Sequence, residues 1–209
     1  MLLPVVVLPL QTAVVAHKTI DLSVRQRQTS GMRAELSLPM LVGMVVLGSV
    51  RRPLLTLTTL APEELRDLVT VAHHYGADPG RWKDRLVGAR VALIFTAPST
   101  RTRSSFWSTA VQLGCHTLHF GASDLQVTTG ETWADTGMVL AHHLDAAVVR
   151  TNGPQIELEA LASELPATIN AVTHDEHPTQ AIADACALLE VARNGGLIGA
   201  PERMQTQNW

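Results

Sequence analysis

Val91-Ala92-Leu93-Ile94-Phe95, then Thr96-Ala97, then Pro98-Ser99-Thr100-Arg101-Thr102-Arg103, then a segment in which Phe106, Ala110, Val111 and Leu113 recur at helical spacing: this stretch decides the fold. Five unbroken apolar residues suit a strand buried on both faces of a parallel sheet. A helix that begins just beyond such a strand turns unpaired backbone N–H groups, and the positive end of its dipole, toward the strand's carboxyl end. That geometry receives anions. Ser99, Thr100 and Thr102 add hydroxyl donors, and Arg101 and Arg103 add planar forks that grip two phosphate oxygens at once. Ordinary helix capping accounts for one hydroxyl. It does not account for three hydroxyls and two guanidinium groups placed against the favourable charge direction of a helix start, so the stretch reads as a phosphate site. The chain has no GxxxxGK[ST] and no GxGxxG, which sets aside the P-loop and the dinucleotide fingerprint.

Working outward, the sequence alternates helices and strands. Thr59, Pro62, Glu63 and Glu64 open a helix whose apolar face is Leu65, Leu68, Val69 and Ala72, ending near Gly76, with Thr59 as its cap. A charged connection over 78–85 and a turn at Leu86-Val87-Gly88 lead to the apolar strand. After the helix of 103–113, stopped by Gly114, come a strand over 116–120 and an unpatterned segment over 121–130. A helix over 131–143 follows, with Trp133, Thr136, Val139 and Leu140 toward the core. A strand over 145–149 ends on Arg150; then come a helix over 155–165, a strand over 168–172, a polar loop over 174–180 with Pro178 at a helix start, and an Ala/Leu helix over 181–191. Strict alternation predicts an α/β fold: a parallel sheet with helices on both faces. In such sheets ligands bind beyond the carboxyl ends of the strands. Three strands deliver polar groups there: Ser99 to Arg103, Arg150 with Thr151, and His177 with Gln180.

Composition bounds the rest. The chain has 209 residues, 46% of them hydrophobic, enough for a real core. Its formal charge of −3 and lack of a Lys/Arg cluster outside the central motif give no reason to expect nucleic acid. Two cysteines, Cys115 and Cys186, without a CxxC, read as reduced thiols of a cytoplasmic protein. The apolar runs over 1–15 and 36–50 are interrupted by Pro4, Pro9 and Pro39 and fall short of a membrane span. Residues 1–53 are expected to form an irregular extension outside the fold. His174, Asp175, Glu176 and His177 suggest a metal site by composition, but no third ligand stands at metal spacing, and no metal is expected.

The motifs resemble those of the aspartate/ornithine carbamoyltransferase family, in its carbamoyl-phosphate-binding N-terminal domain. The resemblance runs from about Leu57 to Leu197 and rests on S-T-R-T-R at Ser99 to Arg103 and H-P-x-Q at His177 to Gln180. Supporting matches are G-E-T-x-x-D-T at Gly130 to Thr136, D-A-x-V-x-R-T at Asp145 to Thr151, and Ile169-Asn170-Ala171. It implies a carbamoyltransferase that passes the carbamoyl group of carbamoyl phosphate to an amino-acid amine, without metal or organic cofactor. Ser99, Thr100, Arg101 and Thr102, supported by Arg103, would hold the phosphate. Arg150, His177 and Thr102 would donate to the carbamoyl oxygen, and Gln180 would take the amino group. The family assembles as homotrimers in which a neighbour's loop completes each site, and Gln126 stands where ornithine enzymes carry a glutamine that reaches the neighbour's phosphate. That favours ornithine as co-substrate, and with it arginine biosynthesis, over an aspartate-type enzyme.

The sequence departs from the family pattern in three places. Acidic residues that flank the phosphate motif are replaced by Thr96 and Trp107, and the basic residue of the Gln126 loop by Thr128 and Thr129. The amino-acid-binding domain would begin just after the helix that ends near Gly196. The expected organisation is therefore an extension over 1–53, a carbamoyl-phosphate-binding domain over 54–196, and a truncated start of the second domain, or a tail, over 197–209. The lost acidic residues and the truncation leave a second reading, a carbamoyl-phosphate-binding remnant or partner subunit that does not complete transfer.

Overall fold

Side chains on a strand point alternately to opposite faces, and β1 (Arg90–Phe95) uses both. A computed structural model of the chain describes residues 52–165 and 167–194. Val91, Leu93 and Phe95 enter one core with Tyr75, Phe106, Ala110 and Leu113. Ala92 and Ile94 enter a second with Leu140, Leu144, Leu158 and Leu161. The elements in chain order are α1 (Pro62–Ala77), β1, α2 (Thr100–Gln112), β2 (His116–Phe120), α3 (Trp133–Ala141), β3 (Ala146–Arg150), α4 (Gln155–Glu164), β4 (Thr168–Val172) and α5 (Pro178–Asn194). All strand pairings are parallel, in the order β2-β1-β3-β4. The expected α/β fold is present, with α1 and α2 against one face and α3 and α4 against the other.

The order places the switch point. From β1 the chain leaves over one face through α2 to reach β2, and from β3 it leaves over the opposite face through α4 to reach β4. Connections that diverge from adjacent strands open a crevice at their carboxyl ends. β1 and β3 are adjacent, with Phe95 opposite Arg150. At the far side of β4, Leu54 covers the sheet edge: its amide donates to Thr168 O at 2.9 Å and its carbonyl accepts from the Asn170 amide at 2.9 Å. Leu54 also joins Leu68, Ala72 and Ile182 in a third cluster that packs α5 on α1.

Several sequence expectations change. Thr59 does not cap α1; Ala61 is the N-cap, and its amide donates to the Glu64 carboxylate at 2.8 Å, a job Pro62 allows because the first helical turn needs no N–H there. α2 begins at Thr100, so Thr100 to Arg103 are helical rather than a turn. Val139 is exposed, because only one stripe of α3 meets α4. Pro178 opens α5 as expected, and Thr179 and Gln180, expected in the loop over 174–180, belong to its first turn. The expected extension over 1–53, apart from Arg52 and Pro53, and the segment over 197–209 lie outside the described residues.

Candidate functional site

The start of α2 is arranged for an anion. Ser99 is its N-cap, with extended backbone (φ −160°, ψ 105°), yet its side chain makes no capping hydrogen bond, and the first turn holds no acidic residue. The helix's leading N–H groups are thus left without a side-chain acceptor. Arg101 and Arg103 are exposed and form no ion pair among the described residues. They do not share a surface, since residues two apart on a helix lie about 200° around its axis. Arg103 lines a shallow cavity of about 260 Å³ with Ser104, Trp107 and His119, and its charge together with burial lowers the His119 pKa, burial being the larger cause.

Across the crevice, Arg150 closes β3. Its carbonyl accepts from the Thr96 amide at 3.0 Å and from Thr96 Oγ1 at 3.4 Å, which ties the loop entering α2 to the end of β3. Thr96 therefore serves as a latch between the ends of β1 and β3. Arg150 Nε is buried without a hydrogen-bond partner among the described residues. A buried guanidinium N–H without an acceptor is costly, and an incoming oxygen would relieve it.

The loop after β4 supplies the third wall. Its turn is closed by the Thr173 amide donating to Glu176 O at 3.0 Å and the Glu176 amide donating to Thr173 Oγ1 at 3.2 Å. It is fastened to the loop after β3 by the His174 amide on Gly153 O at 3.0 Å and by the Gln155 amide on the Asp175 carboxylate at 2.9 Å. That backbone donor, followed by His174, holds the Asp175 pKa below the usual range. The four residues of the suspected metal cluster have other partners: Asp175 accepts from the Gln155 amide and pairs with its neighbour His174 at 3.4 Å, Glu176 accepts from the Thr56 hydroxyl at 2.8 Å, and His177 pairs with Thr179.

His177 ends the loop and caps α5, its carbonyl accepting from the amides of Gln180 at 3.1 Å and Ala181 at 3.3 Å. Burial lowers its pKa, the Arg150 cation lowers it further, and the Asp184 carboxylate opposes both. Arg150 and His177 are thus within electrostatic reach of each other, and burial and that cation both favour the neutral imidazole. Gln180 turns along its helix, and its Nε2 donates to Asp184 Oδ1 at 2.8 Å, which leaves its oxygen as the acceptor for a ligand. Gln126 opens a 3-10 turn (Gln126–Thr129) after β2, is exposed, and its side-chain oxygen accepts from Thr129 Oγ1 at 2.8 Å; its hydrogen bonds reach no other site residue. Sequence reasoning missed Thr179, Asp184 and His119. The i, i+4 spacing of Gln180 and Asp184 was the one readable signal among them.

Residues 52–190 match the family model for the aspartate/ornithine carbamoyltransferase carbamoyl-P binding domain. An ornithine carbamoyltransferase of Anoxybacillus flavithermus is 41% identical over 140 residues, covering 66% of this chain and 44% of that protein. The crystal structure of the anabolic ornithine carbamoyltransferase of Campylobacter jejuni superposes with a TM-score of 0.61 at 33% identity, over 67% of this chain and 45% of that one. An aspartate transcarbamoylase of Trypanosoma cruzi, solved with carbamoyl phosphate and aspartate, gives a TM-score of 0.58 at 26% identity, over 66% of this chain and 47% of that one. The chain spans under half the length of these relatives.

Proposed function

This chain belongs to the aspartate/ornithine carbamoyltransferase family through its carbamoyl-phosphate-binding domain, and from that premise we propose that it binds carbamoyl phosphate in the crevice between β1 and β3 and serves transfer of the carbamoyl group to an amino-acid amine. What supports the reading is that the loops after β1, β3 and β4 carry, in turn, an uncapped helix start with Arg101, a buried Arg150 Nε without a partner among the described residues, and His177, whose pKa burial and Arg150 lower.

The chemistry follows from charge. Ser99, Thr100, Arg101 and Thr102, with the leading amides of α2, take the phosphate, and Arg103, on the other side of the helix, supports it only through its charge. When an amine attacks the carbonyl carbon, negative charge grows on the carbamoyl oxygen; Arg150, His177 and Thr102 donate to it, each such donor worth about 3 kcal/mol in the transition state. Gln180 accepts from the carbamoyl amino group. Phosphate leaves with its charge spread over the helix start and Arg101. Ornithine is the favoured co-substrate: curated relatives at 34–41% identity are named ornithine carbamoyltransferase, and among the solved structures ornithine enzymes stand at 26–35% against 26% for the aspartate enzyme. A homotrimer in which Gln126 serves a neighbour's site, action in the cytoplasm and a place in arginine biosynthesis are parts of the same proposal.

Calorimetric titration of the full chain with carbamoyl phosphate, and with inorganic phosphate, tests the binding half. Binding by the wild type, weakened about a hundredfold in Arg101→Met by loss of one charge-assisted donor pair, supports it; equal binding by both proteins overturns it. Citrulline formation from ornithine tests the transfer half. Binding without citrulline supports the second reading, a carbamoyl-phosphate-binding protein that does not complete transfer, which the replacement of two acidic residues by Thr96 and Trp107 favours.

A further inference from the structure

Thr179 sits in the first turn of α5, is buried (2% exposed), and its Oγ1 lies 2.8 Å from His177 Nδ1. A hydroxyl beside an imidazole nitrogen can give or take the proton, so this pair alone does not say which nitrogen of the ring is protonated. A second contact decides it. The Gln180 backbone N–H also points at His177 Nδ1, at 3.4 Å, while shared with the His177 carbonyl at 3.1 Å. A backbone amide only donates. A proton on Nδ1 would face that N–H head on, whereas a lone pair on Nδ1 accepts from both neighbours. Nδ1 is therefore the acceptor, the Thr179 hydroxyl is the donor, and the ring proton resides on Nε2.

We infer that Thr179 is a positioning residue: by donating to His177 Nδ1 it holds the imidazole in the Nε2–H tautomer and in one orientation, so that His177 presents a hydrogen-bond donor, not a lone pair, to a bound acyl oxygen. The charges that act on the ring come from β3 through Arg150 and from α5 through Asp184. Burial and Arg150 favour the neutral ring, which is the state in which the tautomer matters. A neutral imidazole offers either N–H or a lone pair at the ligand. With the wrong tautomer, a lone pair would meet the developing negative charge, and a stabiliser would become a repulsive contact. The hydroxyl of Thr179, the shorter of the two contacts on Nδ1, works with the Gln180 amide to separate these two outcomes.

The test uses the full chain labelled with ¹⁵N-histidine, with the His177 signals assigned by their absence from His177→Gln. The expected spectrum at pH 7.5 shows Nδ1 unprotonated and Nε2 bearing the proton. Thr179→Val keeps the side-chain shape and removes the donor; the share of the Nδ1–H tautomer is expected to rise several-fold, and Thr179→Ser to restore the wild-type spectrum. The activity arm alone rests on the proposed carbamoyl transfer: kcat for citrulline is expected to fall about tenfold or more in Thr179→Val, with KM for carbamoyl phosphate changed less, and to recover in Thr179→Ser. A wild-type ring protonated at Nδ1, or a folded Thr179→Val with an unchanged tautomer, overturns the inference. If the wild type makes no citrulline, the transfer proposal fails by itself and the nitrogen spectrum still decides the role of Thr179.

Discussion

Replacing Gly137 with alanine should loosen the seam between α3 and α4. A Cβ built on Gly137 would stand 2.7 Å from the Leu161 carbonyl oxygen, 3.2 Å from its Cα and 3.1 Å from Glu164 Cβ. Ordinary contact begins near 3.4 Å, so the gap has to widen by roughly 0.7 Å. The obstacle is helical backbone, which has no rotamer to change, and the same Leu161 carbonyl accepts from the Leu165 amide at 3.0 Å, so pushing on it also strains the end of α4. Overpacking of this kind costs about 2–3 kcal/mol, and alanine's better helix propensity returns up to about 1 kcal/mol. The net loss is therefore about 1–2 kcal/mol, or a Tm lowered by roughly 2–8 °C. Gly76, near the end of α1, is the control: nothing lies within 4 Å of its would-be Cβ, and Gly76→Ala should hold or raise Tm by a few degrees. Scanning calorimetry of the three proteins reads both effects. A Gly137→Ala protein as stable as the wild type would refute the close-approach reasoning.

Three further outcomes are expected. Arg150→Met should raise the His177 pKa, observed by NMR titration, but only part of the way to its ordinary value, because burial is the larger cause and remains; an unmoved titration would place Arg150 away from the ring. Phe106→Ala, at a fully buried position on the core-facing side of α2, should cost about 3–5 kcal/mol by chemical denaturation and weaken phosphate binding with it; a loss under 1 kcal/mol would contradict the packing. Stability should be level above pH 6.5 and fall below it with respect to His73, His119 and His177, whose pKa values are all lowered in the fold from an ordinary 6.5, chiefly by burial. The sign follows from proton counting: below pH 6.5 the unfolded chain takes up protons these sites resist, which favours unfolding. Thermal melts of the wild type and of His177→Gln across pH 5–8 check this, the variant losing less stability on acidification.

The buried strands were the most legible part of the sequence. Val91–Phe95 is covered on both faces, so selection for apolar residues at every position leaves an unbroken run, and β4, paired with β3 on one side and Leu54 on the other, reads nearly as well. The site residues were legible as a set because they cluster at the ends of these strands. Their individual aims were not. Arg101 and Arg103 are neighbours in a six-residue motif but leave a helix in opposed directions, which only the true start of α2 at Thr100 reveals. Pro178 marked the start of α5, but the run His174 to His177 looks like a solvated loop, and the contacts that fasten it, from Gln155 and Thr56, come from 20 and 120 positions away in sequence. Tertiary partners of that kind leave no local pattern to read.

The latch between Thr96 and the Arg150 carbonyl has a mechanical meaning. In the proposed pose one end of the ligand rests at the tip of β1 and the other at the tip of β3, and the latch welds those tips together. Adjacent strands run about 4.8 Å apart, so the sheet itself acts as a fixed gauge for the distance between anion and acyl group. A molecule with its two ends spaced for a wider grip would find the jaws already set, and exclusion by length would come from backbone geometry before any side chain were consulted.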